Sequence, residues 1–142
     1  MDAAMGNAAE ASGIGPEVGV ELAPQLEIRM SASAHEMMDR LGRTEDLRFS
    51  PDGRRLAILG FHNNICGLFS VAVDLSGSAP ALHLDDGIEL CSVTMKSPHG
   101  VDFLDDDKLV VASRGGKVDI FRLPGDPASQ NGSALAHLRR IT

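Results

Sequence analysis

Glu45 and Asp46 stand side by side directly before the apolar triplet Leu47-Arg48-Phe49. Two hard carboxylate oxygens suit Ca²⁺, which takes about six to eight oxygen ligands, so the pair would form part of a metal site. Neighbouring side chains on an extended strand point to opposite faces, and both reach one ion only if the backbone turns between them. By spacing alone, a solvated acidic pair ahead of a strand is the more economical reading. His99 lies in Ser97-Pro98-His99-Gly100. There Pro98 fixes the approach, Gly100 permits a sharp turn, and an imidazole titrating near neutrality could serve as a general base. With no partner nearby in sequence, a turn histidine bonded to a backbone carbonyl explains it more simply. Cys66 and Cys91 lack the spacing of a zinc site and are too few for a disulfide framework, so both are expected to be buried free thiols. Asp85-Asp86 and Asp105-Asp106-Asp107 read as acidic turns without the spacing of a helix-loop-helix calcium site.

The elements that must carry these residues recur. Leu47-Arg48-Phe49 leads into Ser50-Pro51-Asp52-Gly53, where Pro presets φ and Asp-Gly tolerates the left-handed conformation a hairpin needs. An apolar run Leu56–Leu59 follows, then strand candidates at Gly67–Val73 and Ala81–Leu84. Phe103 follows Phe49 by 54 positions, Phe121 follows Phe69 by 52, and His137 follows His83 by 54. Leu109–Ala112 replaces Leu56–Leu59, and the acidic turn at Asp105–Lys108 replaces Ser50–Gly53. A four-stranded unit recurring every 40–50 residues or so is the pattern of β-propeller blades. The expectation is therefore an all-β chain with a first blade over 43–96 and a second, truncated blade over 97–142. Residues 25–42 read as a short strand and helical turns stopped by Gly42, and residues 1–24, without a sustained apolar period, as a disordered lead-in. The competing architecture is a small sandwich of two meanders packed face to face. Closed propellers have roughly four to eight blades. Two blades thus imply either further C-terminal blades from a longer protein or several copies assembled into a homo-oligomeric ring.

Composition removes several classes. The chain has 142 residues with 13 basic against 20 acidic, a net charge of −7, no Trp or Tyr and five Phe. Nucleic acid is not an expected partner, because neither clustered cations nor aromatic stacking platforms are present. A membrane is not one either: the longest apolar stretch, Leu56–Phe61, is far short of the roughly 18 residues a span needs. With no secretory signal in the first residues, a cytoplasmic location is expected.

Thr44–Gly53, Ser97–Phe103, Leu109–Val111, Val118–Phe121 and Leu135–Leu138, taken in that order, resemble the N-terminal part of the paraoxonase/arylesterase family. The resemblance implies a six-bladed propeller with two calcium ions in its tunnel, acting on lactones and aryl esters. It implies that Glu45 and Asp46 each bind one calcium and that His99 is the general base. Where the family carries a second histidine, this chain reads Leu109-Val-Val-Ala-Ser-Arg114. The resemblance thus implies a Ca²⁺-dependent hydrolase of a small ester or lactone, present as an incomplete fragment. A non-catalytic, propeller-like protein-binding module is the alternative, supported by the blade faces and strand edges that two blades leave open.

Overall fold

A computed structural model describes residues 25–125 and the backbone of Ala136–Ile141; the lead-in expected over 1–24 lies outside the described residues. The chain is mostly β. It runs β1 (Glu27–Met30), α1 (Ala32–Leu41), β2 (Thr44–Phe49), β3 (Arg55–Gly60), β4 (Ile65–Asp74) and β5 (Ala81–Cys91). It continues through β6 (Pro98–Asp105), β7 (Lys108–Ser113), β8 (Val118–Arg122) and β9 (Ala136–Ile141). The first sheet has the order β1-β5-β4-β3-β2, an antiparallel meander with β1 added in parallel to β5. The second, β6-β7-β8-β9, is an antiparallel meander throughout.

Local chemistry explains the turns. In the β2–β3 hairpin the Ser50 hydroxyl donates to Asp52 Oδ1 at 2.6 Å and accepts the Arg55 amide at 2.9 Å, while Gly53 takes φ +71°. Helix α1 starts where the Ser31 hydroxyl accepts the Ala34 amide at 3.3 Å. It ends at Gly42, φ +64°, with Asn63 Nδ2 donating to the Arg40 carbonyl at 2.5 Å. Two local expectations need correction. Asp85-Asp86 is no turn but lies inside β5, at a bulge where pairing slips between Leu68 and Ser70 and Asp86 takes φ +51°. An Asp tolerates that left-handed conformation better than most residues, so the strand bends and continues. Before β6 the left-handed residue is Ser97, φ +47°, whereas Gly100 sits in the ladder opposite Ala112.

The repeat shows in equivalent bonds. The Phe61 amide donates to the Arg43 carbonyl at 2.9 Å, and the Arg114 amide donates to the Ser97 carbonyl at 3.1 Å. Each bond ties the end of a hairpin's second strand, β3 or β7, to the residue preceding its first, β2 or β6.

Two apolar cores fix how the layers stack. Ala57, Leu59, Cys66, Leu68 and Leu90 of the first sheet meet Val101, Phe103, Leu109, Val111 and Phe121 of the second. On the opposite face of the first sheet, Leu56, Ile58, Ile65, Phe69 and Leu84 pack against Ala34, Met37 and Leu41 of α1. Leu56, Ile58 and Phe69 are the repeat equivalents of Leu109, Val111 and Phe121. The sheets therefore stack by unlike faces, and α1 lies on the face of the first sheet whose equivalent in the second is buried against a sheet. A symmetric sandwich would bring equivalent faces together.

Candidate functional site

Strand β2 runs beside β6, and at this seam Asp46 bonds Val101 while Glu45 bonds Arg114. The β2–β3 register shifts between Thr44 and Leu47, a bulge that frees both carboxylates from strict alternation. Both consequently reach the second sheet. Glu45 Oε1 pairs with Arg114 at 2.8 Å and Oε2 with Arg43 at 3.3 Å. Asp46 Oδ2 accepts the Val101 amide at 3.1 Å, while Oδ1 accepts the Leu47 amide at 2.9 Å and Arg48 Nη1 at 3.2 Å. His99 is exposed on β6, two residues from Val101.

This arrangement stitches sheets more readily than it holds an ion. Two guanidinium groups already supply the positive charge that calcium would bring to Glu45, and three donors occupy Asp46. Among the described residues no three His, Cys, Asp or Glu side chains gather closely enough to hold a metal. As arranged here calcium at Glu45 would compete with Arg43 and Arg114, and at Asp46 with the Val101 and Leu47 amides and Arg48. The guanidiniums of both arginines also lie over the Phe61 ring, at 5.4 and 5.1 Å from its centre. Phe61 and Arg114 are repeat-equivalent positions, so this stack is the repeat touching itself.

Two further features escaped the sequence reading. Asp119 is fully buried, and its Oδ1 accepts the Ser92 hydroxyl at 2.9 Å and the Thr94 hydroxyl, anchoring the 92–97 connection between the sheets. Its equivalent in the first sheet is Gly67, where an added Cβ would lie 2.9 Å from the Phe69 ring and 3.3 Å from Leu41 of α1. Each sheet thus uses this position to receive the segment that precedes it. The alternation Val118-Asp119-Ile120-Phe121, with a carboxylate on the same face as Phe121, was the available signal. Elsewhere the β2–β3 and β6–β7 turns bound a cleft of about 330 Å³ lined by Arg54, Arg55, Asp106 and Asp107. Arg55 braces it, donating to the carbonyls of Asp106 at 3.3 Å and Pro124 at 2.6 Å, and the Asp52 amide donates to Asp106 Oδ1 at 3.0 Å. These bonds hold the two equivalent turns together.

Among the described residues, the outer face of the second sheet carries apolar side chains that belong to neither core. Val110, Ala112, Val118 and Ile120 are half-buried on it, and Leu104 beside them is 56% exposed. Val110, Ala112, Val118 and Ile120 are the equivalents of Ala57, Leu59, Cys66 and Leu68, the face by which the first sheet receives the second. Cys91, expected to be buried, is exposed: it lies on the opposite side of β5 from Leu90, which fills the core between the sheets. Cys66 is the buried thiol.

No family model, no curated protein and no solved structure matches this chain. Among the described residues no helix is long and apolar enough to cross a membrane.

Proposed function

We propose that this chain is a protein-binding module made of two propeller-type blades, and that the outer face of its second sheet receives a further β-sheet. The stacking of unlike faces carries this reading. A stack of that kind repeats its receiving face on the last layer, here as Val110, Ala112, Val118 and Ile120. The partner chemistry follows from what the equivalent face of the first sheet already holds. It is a twisted β-sheet presenting large apolar side chains arranged like Val101, Phe103, Leu109, Val111 and Phe121. The seam at Glu45 and Asp46 then works as a brace that keeps the receiving face in register. The test is a chain in which residues 92–142 are repeated once after Thr142. Its midpoint of thermal unfolding should lie above that of the original chain, and Ile120→Asp in the first copy should remove the gain. An added segment that is digested by protease, with no gain in stability, overturns the reading.

A calcium-dependent hydrolase of lactones or aryl esters stands second. What supports it, beyond the resemblance, is that Asp46 bonds β6 at Val101, two residues along the strand from His99. It requires ligands additional to Glu45 and Asp46. Calcium titration of the full chain decides it: binding that weakens in Glu45→Gln brings this reading forward, and no binding removes it.

A further inference from the structure

A second copy of this chain carries the complement of the open face, hidden under its own helix. The face of the first sheet that holds Leu56, Ile58 and Phe69 is equivalent to the face by which the second sheet packs on the first. We propose that α1 is a seated cap over a latent head-to-tail interface, and that it stops copies of this chain from stacking first sheet on second sheet. This inference rests on the receiving role of the Val110–Ile120 face.

Three observations support a cap. First, the helix sits in notches made for it. At Gly87 an added Cβ would lie 2.6 Å from Met37 Cβ and 2.6 Å from the Ser33 carbonyl, and at Gly60 it would lie 2.5 Å from the Leu41 carbonyl. No side chain fits at either position while α1 is down. Second, polar ties hold the helix end, through Asn63 to the Arg40 carbonyl at 2.5 Å and the ion pair of Arg40 with Glu89. Third, the cover is smaller than a sheet. Leu47 and Phe49, on the same face, stay 49% and 48% exposed, whereas their equivalents Val101 and Phe103 are 4% and 9% exposed. A helix of ten residues shields β3, β4 and β5 and leaves β2 uncovered, as a substitute for a four-stranded layer would.

Stacking by unlike faces is heterologous, so nothing in its geometry limits the number of copies unless the rotation closes a ring. A cap at one end reduces this to a single receiving site. Repeat proteins in general need such terminal caps to remain soluble.

The experiment uses the full chain with Met37→Asp and Leu41→Asp together, which places two charges under the helix and unseats it. Molar mass by light scattering after size separation is compared with the original chain and with the same variant carrying Ile120→Asp. The expected result is assembly beyond a dimer in the unseated chain and its loss with Ile120→Asp. If the unseated chain unfolds alone, adding the original chain should refold it, because that chain still offers a free Val110–Ile120 face; circular dichroism reads this. A folded monomer, assembly indifferent to Ile120→Asp, or an unfolded variant that the original chain does not refold would each overturn the proposal. If the chain with residues 92–142 repeated is nonetheless stabilised, the receiving face stands and only the cap falls.

Discussion

Arginine on both sides decides what Glu45 does. A carboxylate bonded to Arg43 and Arg114 closes the seam and has no oxygen left uncommitted. Partners drawn from about 55 to 69 residues away, Val101 for Asp46 and Arg114 for Glu45, are beyond what neighbours in sequence reveal. Ser50-Pro51-Asp52-Gly53, by contrast, was legible because its bonds are local. The same locality makes it testable. Hydrogen bonds from the Ser50 hydroxyl and then the Arg54 amide hold the Asp52 carboxyl below its ordinary value of 3.8. A depressed carboxyl contributes stability that is present above the unfolded value and is lost as pH falls through the folded one. Ser50→Ala should therefore destabilise the chain at neutral pH and flatten its acid unfolding below about pH 4. Denaturation followed across pH 2–7 checks both. The two thiols should separate as well. Burial pushes Cys66 up to about 12 from 9.0, so it stays a protected thiol, while Cys91 is exposed. A thiol reagent at pH 8 should label one cysteine in the native chain and two in denaturant; two in the native chain would contradict the burial of Cys66. Between pH 9 and about 12 the unfolded Cys66 ionises and the folded one does not, so stability should fall across that window.

At the level of elements, glycine is informative where something approaches it. Gly87 and Gly60 face α1 at distances that exclude a Cβ, whereas a Cβ at Gly100 would meet Ala112 Cβ at an ordinary 3.7 Å. Gly87→Ala should cost about 1–3 kcal/mol by overpacking. Gly100→Ala should stay within about 1 kcal/mol, since it fits an extended position in the ladder. Urea denaturation distinguishes the two, and equal losses would mean that α1 is not seated as described. The strands and the helix stop at Gly42 were legible from period and turn chemistry. The bulge at Asp86 was not, because two adjacent acids look alike in a turn and in a kinked strand. Nor was the place of α1: its apolar positions Met37 and Leu41 announce a face to bury but not the sheet that buries it.

For the whole molecule, the recurrence of Phe49 as Phe103 and of Phe69 as Phe121 announced two like layers. It left open whether they meet by like or unlike faces. That distinction needs the parity of each strand in three dimensions, which the cores supplied. Strand β1 adds a consequence in time. It pairs with β5 in parallel, joining Glu27 to Ala81, while α1 rests on β3, β4 and β5. Each hairpin from β2 to β5 closes over a short loop, but β1 and the helix can dock only after the last of those strands has arrived. Distant pairings of this kind are slow because loop closure precedes any reward. In pulse-labelled hydrogen exchange during refolding, amides of β3 and β4 should gain protection before those of the β1–β5 ladder; simultaneous protection would refute this order. Every newly made chain thus passes through an interval in which the first sheet is built and bare. Under the capping role proposed for α1, that interval is when the Val110–Ile120 face of a neighbouring chain has access to the bare sheet.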